Sequence, residues 1–117
     1  MKNIVPKGWG FEFWIENNEL YCGKHLFVMP GKHCSVHYHK NKKETFYVTS
    51  GELKLEYSKD LEWSRDIETI ILREGDSFTL EILTAHRFTS NTNKVCEFIE
   101  FSTHHEDSDS YRIIRGD

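Results

Sequence analysis

GKHCSVHYHKNKKETFYVTSG, residues 31–51, decides the reading of this chain. It opens on Gly31 after Pro30 and closes on Ser50-Gly51, both turn signals. Between them, residues 35–39 and 45–49 are built from strand-forming types, divided by the polar loop Lys40-Asn41-Lys42-Lys43. Side chains at i and i+2 of a strand share a face, so His37 and His39 present two imidazoles to one point while Tyr38 faces away. Glu44 lies an odd number of positions after His39, but the loop resets the phase. On the second strand Glu44 shares its face with Phe46 and Val48, and if that face is the core the carboxylate is buried and needs a partner.

The same rhythm continues on both sides. Residues 11–15, 20–29, 53–57, 67–72, 77–83, 86–90 and 95–101 read as strands, with turns at Asn17-Asn18, Glu74-Gly75-Asp76 and Asn91-Thr92-Asn93. Leu53, Leu55 and Tyr57 alternate with Lys54 and Glu56, as expected of a strand with one wall in a core and one in water. Residues 58–66 read as a polar excursion and residues 103–110 as a solvated run, with a second metal site or a lid built from His104, His105, Glu106, Asp107 and Asp109 as the alternatives. Residues 111–114 read as a last strand, pairing with the N-terminal segment of the same or a partner chain. No segment has the 3.6-residue period of a helix. The expected architecture is all-β: a small antiparallel barrel or sandwich of about nine or ten strands, with residues 1–117 forming one domain.

Composition agrees. The chain has 117 residues, 38% of them hydrophobic and 14% aromatic, enough for one core without disulfide staples. Fifteen Lys and Arg against nineteen Asp and Glu, scattered in both signs, argue against nucleic acid as a partner. No run approaches the ~18 apolar residues of a membrane span, and the first ten residues lack the apolar stretch of a signal peptide, so a cytoplasmic location is expected. Cys22, Cys34 and Cys96 are odd in number and widely spaced, which favours buried free thiols over a disulfide or thiolate zinc site. By strand parity Cys34 should point away from His37.

His86 opens the strand after the Gly75 turn and is a candidate third imidazole. Three histidines and a carboxylate suit one divalent first-row metal, Mn, Fe, Co, Ni or Zn, and leave coordination positions open for water or substrate.

Gly31, His37, His39, Glu44 and Gly51 stand at the spacing of the first motif of the cupin superfamily, which this sequence resembles. The second motif is partly kept: Gly75 and His86 are in register, Glu81 and Leu83 replace the usual Pro and Gly, and Ser90 replaces the trailing Asn. The resemblance implies His37, His39, Glu44 and His86 as metal ligands inside a small jelly-roll barrel, commonly a homodimer. Trp9-Gly10, Lys24, Pro30-Gly31, the 35–39 segment and His86-Arg87-Phe88 further resemble cupin-type mannose-6-phosphate isomerases, a family that usually has Gln where this chain has His37. That likeness implies a small-molecule substrate, a sugar or sugar phosphate, with Lys24 and Arg87 as contacts to an anionic group.

The functional expectation is a metal-dependent isomerase or epimerase of such a substrate. A non-haem iron dioxygenase and a non-catalytic sugar-binding module are the alternatives, because fold and ligand set do not fix reaction class. Candidates for a catalytic base are Glu97, Glu100 and His33, and alternation allows at most one of the two glutamates to face inward.

Overall fold

The computed structural model describes residues 3–117 and contains eleven strands. These are β1 (Asn3–Lys7), β2 (Gly10–Asn17), β3 (Cys22–Val28), β4 (Val36–Tyr38), β5 (Glu44–Ser50), β6 (Leu53–Ser58), β7 (Glu68–Leu72), β8 (Ser77–Leu80), β9 (Ala85–Ser90), β10 (Cys96–Ser102) and β11 (Tyr111–Ile114). One sheet runs β1-β2-β3-β10-β5-β8 and the other β11-β4-β9-β6-β7, every pairing antiparallel. They pack as a jelly-roll-like sandwich rather than a closed barrel. Among the described residues no helix is long and apolar enough to cross a membrane.

The strand beyond the expected nine or ten is β1, which carries Pro6 on the edge of its sheet, where a missing N–H costs little. β11 pairs with β4, not with the N-terminal segment. The 103–110 run is not simply solvated: it holds a 3₁₀ turn, Asp107–Asp109, and buries Asp109.

The inward face of the six-stranded sheet changes character from one end to the other. On β3 the buried side chains run Val28, Leu26, Lys24; on β5 they run Val48, Phe46, Glu44; on β10 they run Cys96, Phe98, Glu100. Register aligns the change between β3 and β10, where Phe98 lies opposite Leu26 and Glu100 opposite Lys24; on β5 it comes one inward residue later, with Phe46 opposite Glu100. The apolar end closes around Phe46, Phe88 and Phe98, whose ring centroids are 4.8–6.1 Å apart in tilted and edge-on arrangements. The other end gathers ionisable groups in a cavity of about 400 Å³.

Leu83 occupies the second-motif position where glycine is usual, and its backbone is left-handed, with φ 58°. Its N–H donates to the His39 carbonyl at 2.8 Å, so the turn before His86 keeps its shape despite the side chain. Leu83 is 43% exposed and gains little from packing. A left-handed non-glycine residue costs about 1–2 kcal/mol, and glycine's extra unfolded-state freedom costs roughly 0.5–1. Leu83→Gly should therefore raise stability in urea unfolding by up to about 1 kcal/mol; a clear loss would show that the leucine side chain is needed.

Candidate metal centre

His37 on β4 and His86 on β9 are direct cross-strand partners, which sets their side chains on one face. His39 follows β4, and Glu44 is the first residue of β5. The ring centroids of His37 lie 4.5 Å from His86 and 5.1 Å from His39, and one ring nitrogen of each histidine lies within 4.8 Å of the other two. Glu44 Oε2 completes the group, 3.2 Å from His39 Nε2 and 3.8 Å from His86 Nε2.

Each ring is oriented by the backbone. Nδ1 of His37 lies 2.9 Å from the Ser35 carbonyl, Nδ1 of His39 2.9 Å from that of Asp109, and Nδ1 of His86 2.9 Å from that of Thr84. A carbonyl oxygen only accepts, so Nδ1 carries the proton and a neutral ring keeps its lone pair at Nε2. His86 Nε2 and Glu44 Oε2 are buried without a hydrogen-bond partner. Electron-rich nitrogen and oxygen atoms turned on one another, with no donor between them, fit a cation, and this donor set suits a divalent first-row metal.

Electrostatics keep these atoms available. Burial lowers the pKa of His37 well below 6.5, and His86 and His39 push it the same way. Burial also lowers that of His86 against the opposing pull of Glu44. For Glu44 burial acts upward, but the Lys42 ammonium outweighs it and holds the carboxyl well below its usual range.

The cavity above is polar. Lys24, 2% exposed, lies 3.5 Å from Glu12 and sits over the Trp14 ring at 4.3 Å. Lys42, 3% exposed, lies 3.0 Å from both Glu100 Oε2 and His105 Nδ1. Burial opposes the Lys42 charge, yet Glu100 and Glu44 prevail and raise its pKa, so it stays an ammonium. The 103–110 segment straps this end. Asn17 clasps the His105 backbone through both N–H and carbonyl, and the Asp109 carboxylate accepts the N–H groups of Lys40, Asn41 and Lys42.

Of the residues singled out from sequence, His37, His39, Glu44, His86, Glu100 and Lys24 all line this cavity. Glu97 is on the outer face of its sheet, 3.2 Å from His25, which removes it as a base for this site. His33 is turned toward Asp117 and does not line the cavity. Arg87 alternates outward from His86 and binds Glu56 at 3.1 Å, so it is not placed to contact a substrate here. Cys34, expected to point away, lines the cavity wall because residues 34 and 35 precede regular strand and break the parity. It accepts the Phe88 N–H at 3.3 Å, and burial pushes its thiol up to about 12, which makes it unreactive.

Sequence reasoning missed Lys42, Glu12 and Arg112 and read His105 and Asp109 as part of a solvated run, although all five are near or in this cavity. Alternation back from Glu44 gave a signal for Lys42, whereas nothing local marks Asp109.

The family model for the cupin domain matches residues 25–102, which contain all three histidines and Glu44. The chain belongs to the cupin family. A search of curated proteins gives no match to this cupin. Among solved structures it is similar to the capsular polysaccharide assembling protein CapF from Staphylococcus aureus, with TM-score 0.86 and 14% identity over 97% of this chain and 34% of that one. It is also similar to a variant oxalate decarboxylase from Bacillus subtilis (TM-score 0.82, 14% identity, 96% of this chain and 30% of that one). The formate complex of oxalate decarboxylase from Lactobacillus farciminis gives TM-score 0.75 and 16% identity over 95% and 32%. At such identities the likeness is one of fold, and this cupin spans about a third of each of those chains.

Two outcomes follow from the geometry. Asp109→Ala frees the 40–42 backbone and loosens the carbonyl that orients His39, so zinc affinity measured by calorimetry should fall about 10- to 100-fold. Unchanged affinity in a folded variant would refute this. Because the folded pKa values of His37 and His86 are lowered from 6.5, the unfolded chain binds more protons below that pH. Stability of metal-free protein should be full above about pH 6.5 and fall toward pH 5, with a smaller fall in His37→Ala, read from urea midpoints.

Proposed function

We propose that this cupin is a metal-dependent isomerase or epimerase of a small sugar or sugar phosphate, with His37, His39, Glu44 and His86 as ligands of one Mn, Fe, Co, Ni or Zn ion. The observation that carries the reading is the pairing of a converging, donor-free histidine and carboxylate set with a polar cavity holding a buried carboxylate, Glu100. A divalent metal bound there would act as a Lewis acid for adjacent substrate oxygens.

The remaining roles fall to the chain's own residues. Glu100 is the inward glutamate of β10 and is the group we assign to proton transfer at a substrate carbon, with Lys42 holding its carboxylate in place at 3.0 Å. Lys24, fixed between Glu12 and Trp14, donates to a substrate hydroxyl. The strap over residues 103–110 limits water entry. We further propose that residues 1–117 act as one unit in the cytoplasm, as a homodimer. The outer face of the six-stranded sheet supports that assembly, because it carries Phe11 stacked on Phe27 at 4.4 Å and, elsewhere on the same face, the exposed Tyr47 and Phe101.

Elemental analysis should find about one transition metal per wild-type chain and almost none in His37→Ala. Glu100→Gln should keep the metal and lose at least about 100-fold in aldose–ketose turnover or epimerisation. Activity surviving in Glu100→Gln would remove Glu100 as the base. A clean negative across pentoses, hexoses and their phosphates would overturn the isomerase, with substrate-dependent oxygen uptake by the iron form pointing to a dioxygenase. No metal even after reconstitution would leave a sugar-binding module.

A further inference from the structure

The cations that line the cavity fall into two groups. Lys24 and Lys42 are buried, and each is neutralised by a glutamate, Glu12 and Glu100. Lys7, Arg112 and Arg115 are exposed and line the same cavity. None of the three makes an ion pair or a side-chain hydrogen bond among the described residues. The carboxylates that share the mouth are engaged elsewhere: Asp107 with His105 at 2.9 Å, and Asp117 with the His33 N–H at 2.9 Å.

Arg112 is the best placed of the three. It is the direct cross-strand partner of His37, so its side chain leaves the sheet beside that imidazole and on the same face. Its strand is held, because neighbouring Tyr111 stacks on Tyr38 at 5.2 Å on the other face. Its planar guanidinium presents two parallel N–H groups, the geometry that matches a carboxylate or phosphate and that costs less side-chain freedom per hydrogen bond than an ammonium would.

We propose that Arg112, seconded by Arg115, is the receptor for an anionic group on the substrate, a carboxylate or a phosphate. The substrate is thus a hydroxylated small molecule with its acid end at the mouth and its reacting end at the histidines. For the reacting end this rests on the metal-site reading; the anion receptor itself does not. It also replaces Arg87, whose guanidinium is spent on Glu56 outside the cavity.

The test is calorimetric titration of metal-free protein with inorganic phosphate and, separately, with succinate. Wild type should bind at least one of them saturably, Arg112→Ala should bind it at least about tenfold more weakly, and Arg112→Lys should recover part of the loss. A response to phosphate alone selects a phosphorylated substrate, and one to succinate alone a carboxylic acid. Equal binding by wild type and Arg112→Ala, or no binding by wild type, overturns the proposal. Metal content is measured in parallel. If Arg112→Ala loses metal as well as anion, Arg112 serves to hold His37 and the proposal fails. If neither protein takes up metal while the anion response persists, the metal reading fails and the receptor stands.

Discussion

Three main-chain carbonyls each take the Nδ1 proton of a histidine, and the rest of the site follows from that constraint. With Nδ1 committed, a neutral imidazole has a lone pair only at Nε2, and His37, His39 and His86 converge with Glu44 on one side of the cavity. Such a cluster is unfavourable by itself. It is tolerable in a folded protein because the carbonyls hold the rings and the Lys42 charge steadies Glu44 from behind.

The sandwich separates this demand from its own stability. The aromatic and aliphatic end, around Phe46, Phe88 and Phe98, supplies the hydrophobic drive to fold. The opposite end of the sandwich is left free to carry Lys24, Glu12 and Glu100 from its strands and Lys42 from the loop before β5. Buried ion pairs of this kind contribute little net stability against an apolar replacement, so their presence speaks for the cavity's chemistry rather than for the fold.

Sequence revealed what depends on local parity. His37 and His39 share a face because they are two apart, Glu44 shares one with Phe46 and Val48, and the all-β architecture follows from the same alternation. Parity failed where regular strand stops: Cys34 lies just before β4 and turns inward. Features set by distant chain were not legible. Asp109 resembles any acidic residue in a polar run, and only the folded chain shows its carboxylate clamping the 40–42 backbone and its carbonyl meeting His39. Nothing local to β1, with its proline, marked it as an eleventh strand. Arg112 and Arg87 both look like charged strand residues, and the difference between a cavity mouth and an outer face is decided by which strand each one joins.

The contact between Asp109 and His39 spans 70 positions of sequence. His37, His39 and Glu44 lie within eight positions of one another, but the carbonyl that fixes the His39 tautomer comes from distant chain. A peptide spanning residues 31–51 would therefore offer at most a loosely oriented set of donors. The centre is a property of the closed tertiary structure and not of the segment that carries its ligands.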